Sequence, residues 1–155
     1  MIYFHLAHER ELLQIESIIK DAYQSISNVL SRPPGALNDT AEKINNAFRK
    51  DQLYGVYSEN KELIGTFSLA PLKEDTIKLF HLAIKPQYQK QGIGFWTIRE
   101  VIKMIQKNMP RITGIELEIY FKIPSLLRFY ERFGFIVTGE KRIRDENILI
   151  LTKKL

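Results

Sequence analysis

Hydrophobic positions follow two periodicities along the chain, and the helical one predicts four helices. Apolar residues recur at helical spacing from His8 to about Ser25, and a second helix is expected to end at about Arg49. A third helix is predicted from Gly92 to about Asn108. A short fourth helix is predicted at "PSLLRFYERFG", where proline suits the first turn and glycine suits the position after the last.

The remaining apolar runs are short or alternate with polar residues, which predicts seven strands. They are Ile2 to Leu6, "QLYGVYS", "ELIGTFSLAP", "TIKLFHLAI", "TGIELEIYF", "FIVTGEKRI" and "NILILTKKL". The element order β-α-α-β-β-β-α-β-α-β-β predicts an α/β (α+β) fold around one mixed central sheet. Within it, "LFHLAI" and "IELEIY" should be parallel neighbours joined by a right-handed crossover, and the last two strands should be antiparallel.

Size and composition indicate a single globular domain over residues 1–155. The chain is 45% hydrophobic and 26% charged, and it has no repeat or linker. No unbroken apolar stretch approaches the roughly 18 residues of a membrane span. The start "MIYFHLAHER" lacks the pattern of a secretory signal, so we expect a cytoplasmic protein.

The net charge of +5 would attract phosphorylated cofactors, nucleic acids or anionic membranes. Basic residues are spread along the chain, however, and the longest cluster, "EKRIRDE", is interleaved with acids. We therefore expect no nucleic-acid or membrane partner; a basic nucleic-acid-binding protein is a competing interpretation that rests on charge alone. The absence of cysteine excludes disulfides and thiolate chemistry, and no histidine cluster predicts a metal site.

The stretch "PQYQKQGIG" joins a predicted strand to a predicted helix through a turn that contains two glycines. A helix N-terminus exposes unpaired N–H groups with partial positive charge, and glycine lets a ligand approach that backbone closely. The combination predicts an anion site, for which phosphate is the usual ligand. The P-loop pattern is absent, and Trp96 and Thr97 stand where the third glycine of a dinucleotide fingerprint should fall.

Two segments resemble the signatures of the GNAT superfamily of N-acetyltransferases. "LAIKPQYQKQGIG" resembles the acetyl-CoA signature Gln/Arg-x-x-Gly-x-Gly/Ala, with Gln89, Gly92 and Gly94 at its fixed positions. "LEIYFKIPSLLRFYERFGF" resembles the second signature, a strand end followed by a helix that carries tyrosine and then Gly-Phe. Family members often have asparagine where this chain has Ile123, so Ser125 or backbone must replace that contact with the cofactor.

The resemblance implies an acyl-CoA-dependent N-acetyltransferase with acetyl-CoA as cosubstrate. Backbone N–H groups of the glycine turn would bind the phosphates, and the strand before it would pair with the pantetheine arm, with Ile84 polarising the thioester carbonyl. We expect the two parallel strands to diverge after Ala83. The predicted cofactor-binding residues are Leu82, Ala83, Ile84, Gln89, Lys90, Gln91, Gly92, Ile93 and Gly94.

Acetyl transfer needs a neutral amine, a polarised carbonyl and a stabilised thiolate. Because the chain has no cysteine, we expect direct attack in a ternary complex rather than an acetyl-cysteine intermediate. The resemblance assigns Tyr130 as proton donor to the leaving sulfur and Glu118, which shares a strand face with Glu116 and Tyr120, as general base. His81, on the opposite side of its strand from Phe80 and Leu82, is the rival base.

The acceptor is expected to be a small-molecule or peptide amine bound near "SNVLSRPPGALNDT". Aminoglycosides, polyamines, amino acids and protein N-termini all stay open, with Arg32 as a possible anion ligand and Asp39, Glu42 and Glu74 as possible cation ligands. The alternative function is a non-catalytic acyl-CoA sensor. A homodimer could form along the carboxy-terminal strands, although Lys153 and Lys154 resemble edge protection.

Overall fold

The computed structural model describes residues 1–30 and 40–155, and in this part the elements follow the predicted order. Four helices are present there: α1 (Leu12–Gln24), α2 (Thr40–Arg49), α3 (Ile93–Asn108) and α4 (Pro124–Glu131). The seven strands are β1 (Tyr3–Leu6), β2 (Leu53–Tyr57), β3 (Leu63–Lys73), β4 (Thr76–Ile84), β5 (Gly114–Tyr120), β6 (Ile136–Ile143) and β7 (Glu146–Lys154). No helix in the described ranges is long and apolar enough to cross a membrane.

The seven strands form one mixed sheet in the order β1-β2-β3-β4-β5-β7-β6. Every neighbouring pair is antiparallel except β4 and β5, which are parallel and joined through α3, as predicted. The parallel pairing covers only Thr76–Lys78 and Gly114–Glu116. The strands were expected to diverge after Ala83, but they part after Lys78, because β4 continues along β3 while β5 continues along β7.

A β-bulge interrupts β4 beside this gap. Ser68 pairs with Phe80 and Thr66 pairs with Ala83, so Phe67 alone lies opposite two residues, His81 and Leu82. The φ angle of His81 is 56°, which is rare for a residue other than glycine. The prediction that His81 lies opposite Phe80 and Leu82 assumed regular alternation, which the bulge interrupts, and all three residues line one cavity.

Helices cover both faces of the sheet. Adjacent residues of β2, Val56 and Tyr57, belong to two different buried clusters, as alternation along a strand requires. One cluster joins the sheet to α3 and α4 through residues such as Ile98 and Ile105. The other joins it to α1 and α2 through residues such as Ile19. This three-layer α/β arrangement confirms the predicted fold class.

The edge of the sheet after β7 is formed by β6. The pairing of β6 with β7 stops at Thr152, so Lys153 and Lys154 pair only with β5 and their role as edge protection stays a prediction; the outermost strand is β6. The sequence did not reveal this, since two consecutive antiparallel strands can be placed in either order. Ile136 and Val137 of β6 are exposed. A homodimer along this edge stays a prediction.

Candidate active site

A cavity of about 690 Å³ opens where β4 and β5 separate. All three predicted catalytic residues, His81, Glu118 and Tyr130, line it. Tyr130 packs in the cluster on the α3 and α4 side of the sheet, whereas Tyr23 of α1 belongs to the opposite side. Because the strands are parted here, side chains from both faces of the sheet reach the same space.

The glycine turn ends at an open helix N-terminus. Gly92 immediately precedes α3 with a φ angle of 79°, and a Cβ there would have no atom within 4 Å. The first helical bond runs from the Trp96 N–H to the Gly92 carbonyl, at 2.9 Å. The Gln89 side chain donates to the Ile84 carbonyl at 2.9 Å and so ties the turn to the end of β4. The N–H groups of the first turn of α3 therefore face a space that a ligand can enter.

The neighbouring residues of the turn differ in the exposure of their side chains. The Ile93 side chain is buried in the core, and Gly94 would place a Cβ 3.8 Å from Phe129. Lys90, with a φ angle of 62°, and Gln91 are exposed. The predicted phosphate-binding residues are thus contiguous and, except for the buried Ile93 side chain, accessible, and their role stays a prediction.

The end of β4 offers unpaired backbone to the gap. The Lys85 N–H donates to the Ile64 carbonyl of β3 at 2.8 Å. Successive N–H groups of a strand point to opposite sides. The Ile84 N–H therefore points away from β3, toward the side on which β5 no longer pairs with β4. Ala83 is buried and pairs with Thr66, and the Leu82 carbonyl accepts a hydrogen bond from the Tyr23 hydroxyl at 3.1 Å.

Tyr130 is buried on α4 with its ring edge against Phe129 and Phe135. No residue in the described ranges accepts a hydrogen bond from its hydroxyl, although the residue lines the cavity. Burial raises the pKa of Tyr130, and the nearby Tyr23 raises it further. The phenol is therefore protonated at neutral pH and can donate a proton or a hydrogen bond to a ligand in the cavity.

His81 has a buried Nδ1 atom with no hydrogen-bond partner among residues 1–30 and 40–155. Burial lowers its pKa to about 4, and the positive charges of Lys43 and Lys78 contribute to the shift. At neutral pH the imidazole is uncharged, so one ring nitrogen can accept a hydrogen bond from a ligand in the cavity.

Glu118 is held by two lysines. Its Oε2 atom lies 2.7 Å from Nζ of Lys141 and 3.5 Å from Nζ of Lys78. Burial alone would raise the pKa of Glu118, but the hydrogen bond from Lys141 and the charges of both lysines lower it below the ordinary value. The carboxylate is therefore ionised and already engaged, which makes it a weaker proton acceptor than an unengaged one.

Several residues of the cavity were not identified from the sequence. Glu146, the first residue of β7, lines it while almost fully buried, with Oε1 at 3.4 Å from Nζ of Lys122. Tyr23 also lines the cavity, and in the sequence it follows the apolar periodicity of its helix. Neither residue belongs to a motif, so no local signal could have identified them.

The residues predicted to bind the acceptor lie in different parts of the molecule. Arg32 and Asp39 lie outside the described residues, and Glu42 is exposed near the start of α2. Glu74 occupies the turn between β3 and β4, at the opposite end of β4 from the gap, so the expectation that it binds the acceptor there is wrong. Ser125 is exposed at the start of α4. Within the described residues, no group of three His, Asp or Glu side chains is placed to hold a metal ion.

Known proteins resemble this chain in both sequence and fold. The family model described as an acetyltransferase (GNAT) domain matches residues 34–152. S-(2-succino)cysteine N-acetyltransferase of Bacillus subtilis is 26% identical over 157 residues, covering 97% of this chain and 94% of that enzyme.

Two solved structures have the same fold. The ribosomal-protein-S18-alanine N-acetyltransferase from Escherichia coli has a TM-score of 0.77 at 17% identity, covering 99% of this chain and 94% of its own. Spermidine N-acetyltransferase from Vibrio cholerae, solved with CoA and spermine, has a TM-score of 0.75 at 16% identity, covering 99% and 95%.

These comparisons confirm the resemblance that the two signatures indicated. They also confirm the predicted activity, an enzymatic transfer of an acetyl group to an amine, and give no support to the non-catalytic alternative. The family match covers most of the chain, including both signatures and every predicted catalytic residue. The chain belongs to the GNAT family of acetyltransferases.

Proposed function

We propose that this chain transfers an acetyl group from acetyl-CoA to a primary amine of a small molecule or peptide by direct attack in a ternary complex. The observation that carries the proposal is the gap between β4 and β5. It brings His81 of β4, Glu118 of β5 and Tyr130 of α4 to one cavity. With no cysteine in the chain, an acetyl-cysteine intermediate is impossible.

The residues around the gap suit acetyl-CoA. The exposed turn from Gln89 to Gly94 would bind the pyrophosphate through main-chain N–H groups, because its glycines leave the backbone accessible. The edge of β4 from Leu82 to Ile84, with which β5 does not pair, would hold the pantetheine arm as a strand holds its neighbour. The bound cosubstrate supplies the activated acetyl thioester.

The chain's own groups meet the remaining chemical demands. The Ile84 N–H would stabilise negative charge on the carbonyl oxygen as the C–N bond forms. Tyr130 would give its proton, or a hydrogen bond, to the sulfur as the C–S bond breaks. His81 would accept a hydrogen bond from the neutral amine, orient its lone pair and take the proton that the nitrogen loses as the amide forms. Glu118 is the alternative base, but its two lysine partners favour His81 for this role.

The names of the relatives include three kinds of acceptor. The Bacillus subtilis relative acts on S-(2-succino)cysteine, and the two structural neighbours act on the alanine of ribosomal protein S18 and on spermidine. An amino acid, a protein N-terminus and a polyamine are therefore the first acceptors to test. Release of CoA from acetyl-CoA in the presence of each amine measures the activity.

Calorimetric titration with CoA tests the cofactor site separately from turnover. Gly92→Glu should weaken CoA binding by at least about tenfold, because a carboxylate at the head of α3 repels phosphate. Gly134→Glu is the matched control. Gly134 also has a positive φ angle, 90°, but it follows α4, where the nearest atom to a new Cβ is Nζ of Lys153.

If Gly92→Glu and Gly134→Glu weakened CoA binding equally, the effect of Gly92→Glu would come from backbone strain and not from repulsion of phosphate at the head of α3. Failure of the wild-type protein to bind CoA would overturn the proposed cosubstrate.

A further inference from the structure

The segment that leads into the glycine turn is tied to the hairpin between β2 and β3. Lys85 and Tyr88 lie just after β4, and the side chains of both contact the carboxylate of Glu62, the residue before β3. We propose that Glu62 and Tyr88 are positioning residues for the cosubstrate, whose hydrogen bond holds the turn from Gln89 to Gly94 in the form that binds CoA. This inference rests on the proposed function and adds two residues that act on CoA through the turn.

Glu62 belongs to a hairpin whose backbone is well hydrogen-bonded. The Ser58 N–H donates to the Glu62 carbonyl at 2.9 Å, and the Glu62 N–H donates to the Ser58 hydroxyl at 3.2 Å. The Lys61 N–H donates to the Ser58 carbonyl at 2.9 Å and closes the turn. Leu63, the next residue, is buried in the core. The Glu62 carboxylate therefore projects from backbone that is held on both sides.

Tyr88 connects Glu62 to the glycine turn. Its ring packs against the buried cluster on the α3 and α4 side of the sheet, and its hydroxyl donates to Oε2 of Glu62. The Tyr88 N–H donates to the Lys85 carbonyl at 2.9 Å within the 3₁₀ helix Pro86–Tyr88. The next residue, Gln89, begins the turn. A displacement of Tyr88 would therefore move the backbone whose N–H groups are proposed to bind the pyrophosphate.

Lys85 gives the carboxylate a second partner. Its Nζ atom lies 3.5 Å from Oε1 of Glu62, and its N–H donates to the Ile64 carbonyl of β3 at 2.8 Å. The hydrogen bond from Tyr88 lowers the pKa of Glu62, and the charge of Lys85 contributes. The carboxylate is therefore ionised at neutral pH, which strengthens its hydrogen bond with Tyr88. The ion pair itself contributes little, because the Lys85 and Glu62 side chains are 24% and 47% exposed.

Two effects of Glu62 on CoA binding are opposite in sign. As a negative charge, Glu62 would repel the phosphates, so its removal would tighten CoA binding. As a positioning group, it holds the N–H groups of the turn in place before CoA arrives, so its removal would weaken binding. The pairing with Lys85 offsets the charge and favours the second effect. The Tyr88 hydroxyl is neutral, so its removal tests the second effect alone.

Calorimetric titration with CoA tests the inference. Tyr88→Phe and Glu62→Leu should each raise the Kd of CoA about threefold or more, because each removes the hydrogen bond that holds the turn. The double variant should bind CoA about as weakly as the weaker single variant, since both changes remove the same interaction. Glu62→Gln keeps an oxygen that can accept from Tyr88 and should retain most of the affinity.

Glu59→Leu is the matched control, because Glu59 lies in the same hairpin but its carboxylate pairs with the amino-terminal ammonium group of Met1, at 2.7 Å. It should leave the Kd of CoA unchanged. Kinetics separate positioning of the cosubstrate from a general loss of structure. Tyr88→Phe should raise the KM of acetyl-CoA as it raises the Kd of CoA, with kcat at saturating acetyl-CoA changed by less than about twofold. Urea unfolding checks that each variant is folded.

The inference is overturned if Tyr88→Phe or Glu62→Leu binds CoA as tightly as the wild type or more tightly, if the effects of the two changes on binding free energy add, or if Glu59→Leu weakens binding equally. The proposed function survives each of these results, because the wild type still binds CoA and acetylates an amine. Failure of the wild type to bind CoA would instead overturn the proposed cosubstrate.

Discussion

Tyr23 donates a hydrogen bond of 3.1 Å from its hydroxyl to the carbonyl oxygen of Leu82. The bond links α1 to β4 across 59 residues of sequence, at the bulge where β4 no longer pairs with β5. Burial raises the pKa of Tyr23 to about 12, with the nearby Tyr120 as a second cause, so the hydroxyl stays a donor at neutral pH. The side chain of Tyr23, which belongs to the helical layer of α1 and α2, therefore supports the bulge in β4.

Tyr23→Phe should destabilise the protein by about 1 kcal/mol, because the Leu82 carbonyl loses a partner in a partly buried place. It should also reduce turnover severalfold, since the strand edge that aligns the thioester loses its support. Urea unfolding and CoA release measure the two effects. Tyr54→Phe is the control, as no hydrogen bond of the Tyr54 hydroxyl is found among the described residues.

Tyr130→Phe should lower kcat by about 10²-fold or more while leaving CoA affinity nearly unchanged. The hydroxyl has no acceptor among the described residues, so its removal should cost little stability. Steady-state kinetics, calorimetry and urea unfolding separate these quantities. Unchanged kcat in a folded variant would remove Tyr130 from the reaction.

The assignment of the amine-orienting residue is tested by two isosteric changes. His81→Gln should reduce kcat by about 10²-fold, whereas Glu118→Gln should change it by less than about fivefold, because Glu118 is already bound by Lys78 and Lys141. Initial rates at saturating acetyl-CoA provide the comparison. The reverse order of effects would identify Glu118 as the base.

Acid should destabilise the fold through His81. Burial, with Lys43 and Lys78, lowers the pKa of its imidazole from 6.5 to about 4. Between these two pH values the unfolded chain binds a proton that the folded chain does not. The free energy of unfolding is therefore reduced as pH falls from 6.5 toward 4, by up to roughly 3 kcal/mol from this residue.

Urea unfolding across this range, on the wild type and on His81→Gln, measures that contribution. The stability advantage of the wild type over the variant should be constant above pH 6.5 and decline below it. Parallel stability curves for the two proteins would contradict the altered pKa of His81.

Local patterns were sufficient for the fold and for the family. Helical spacing and strand alternation depend on neighbours a few residues apart, so they predicted the order of every element that the structure describes. The glycine turn before α3 was also predictable, because its geometry depends on the conformational freedom of Gly92 and on the helix that follows.

The features that define the site depend on residues far apart in the chain. The bulge at His81 depends on a register difference between β3 and β4, which no local pattern encodes. Glu118 and Lys141 form their 2.7 Å ion pair although β5 and β6 are not neighbours in the sheet.

The sequence by itself thus determined the elements, their order and the family, because those follow from backbone preferences and short motifs. Only the tertiary structure decided that β4 and β5 part after Lys78, that β6 forms the edge, and that Lys43 of α2 and Lys78 of β4 line one cavity with His81. Charge and pKa in the cavity are properties of groups brought together by folding, so they could not be obtained from spacing along the chain.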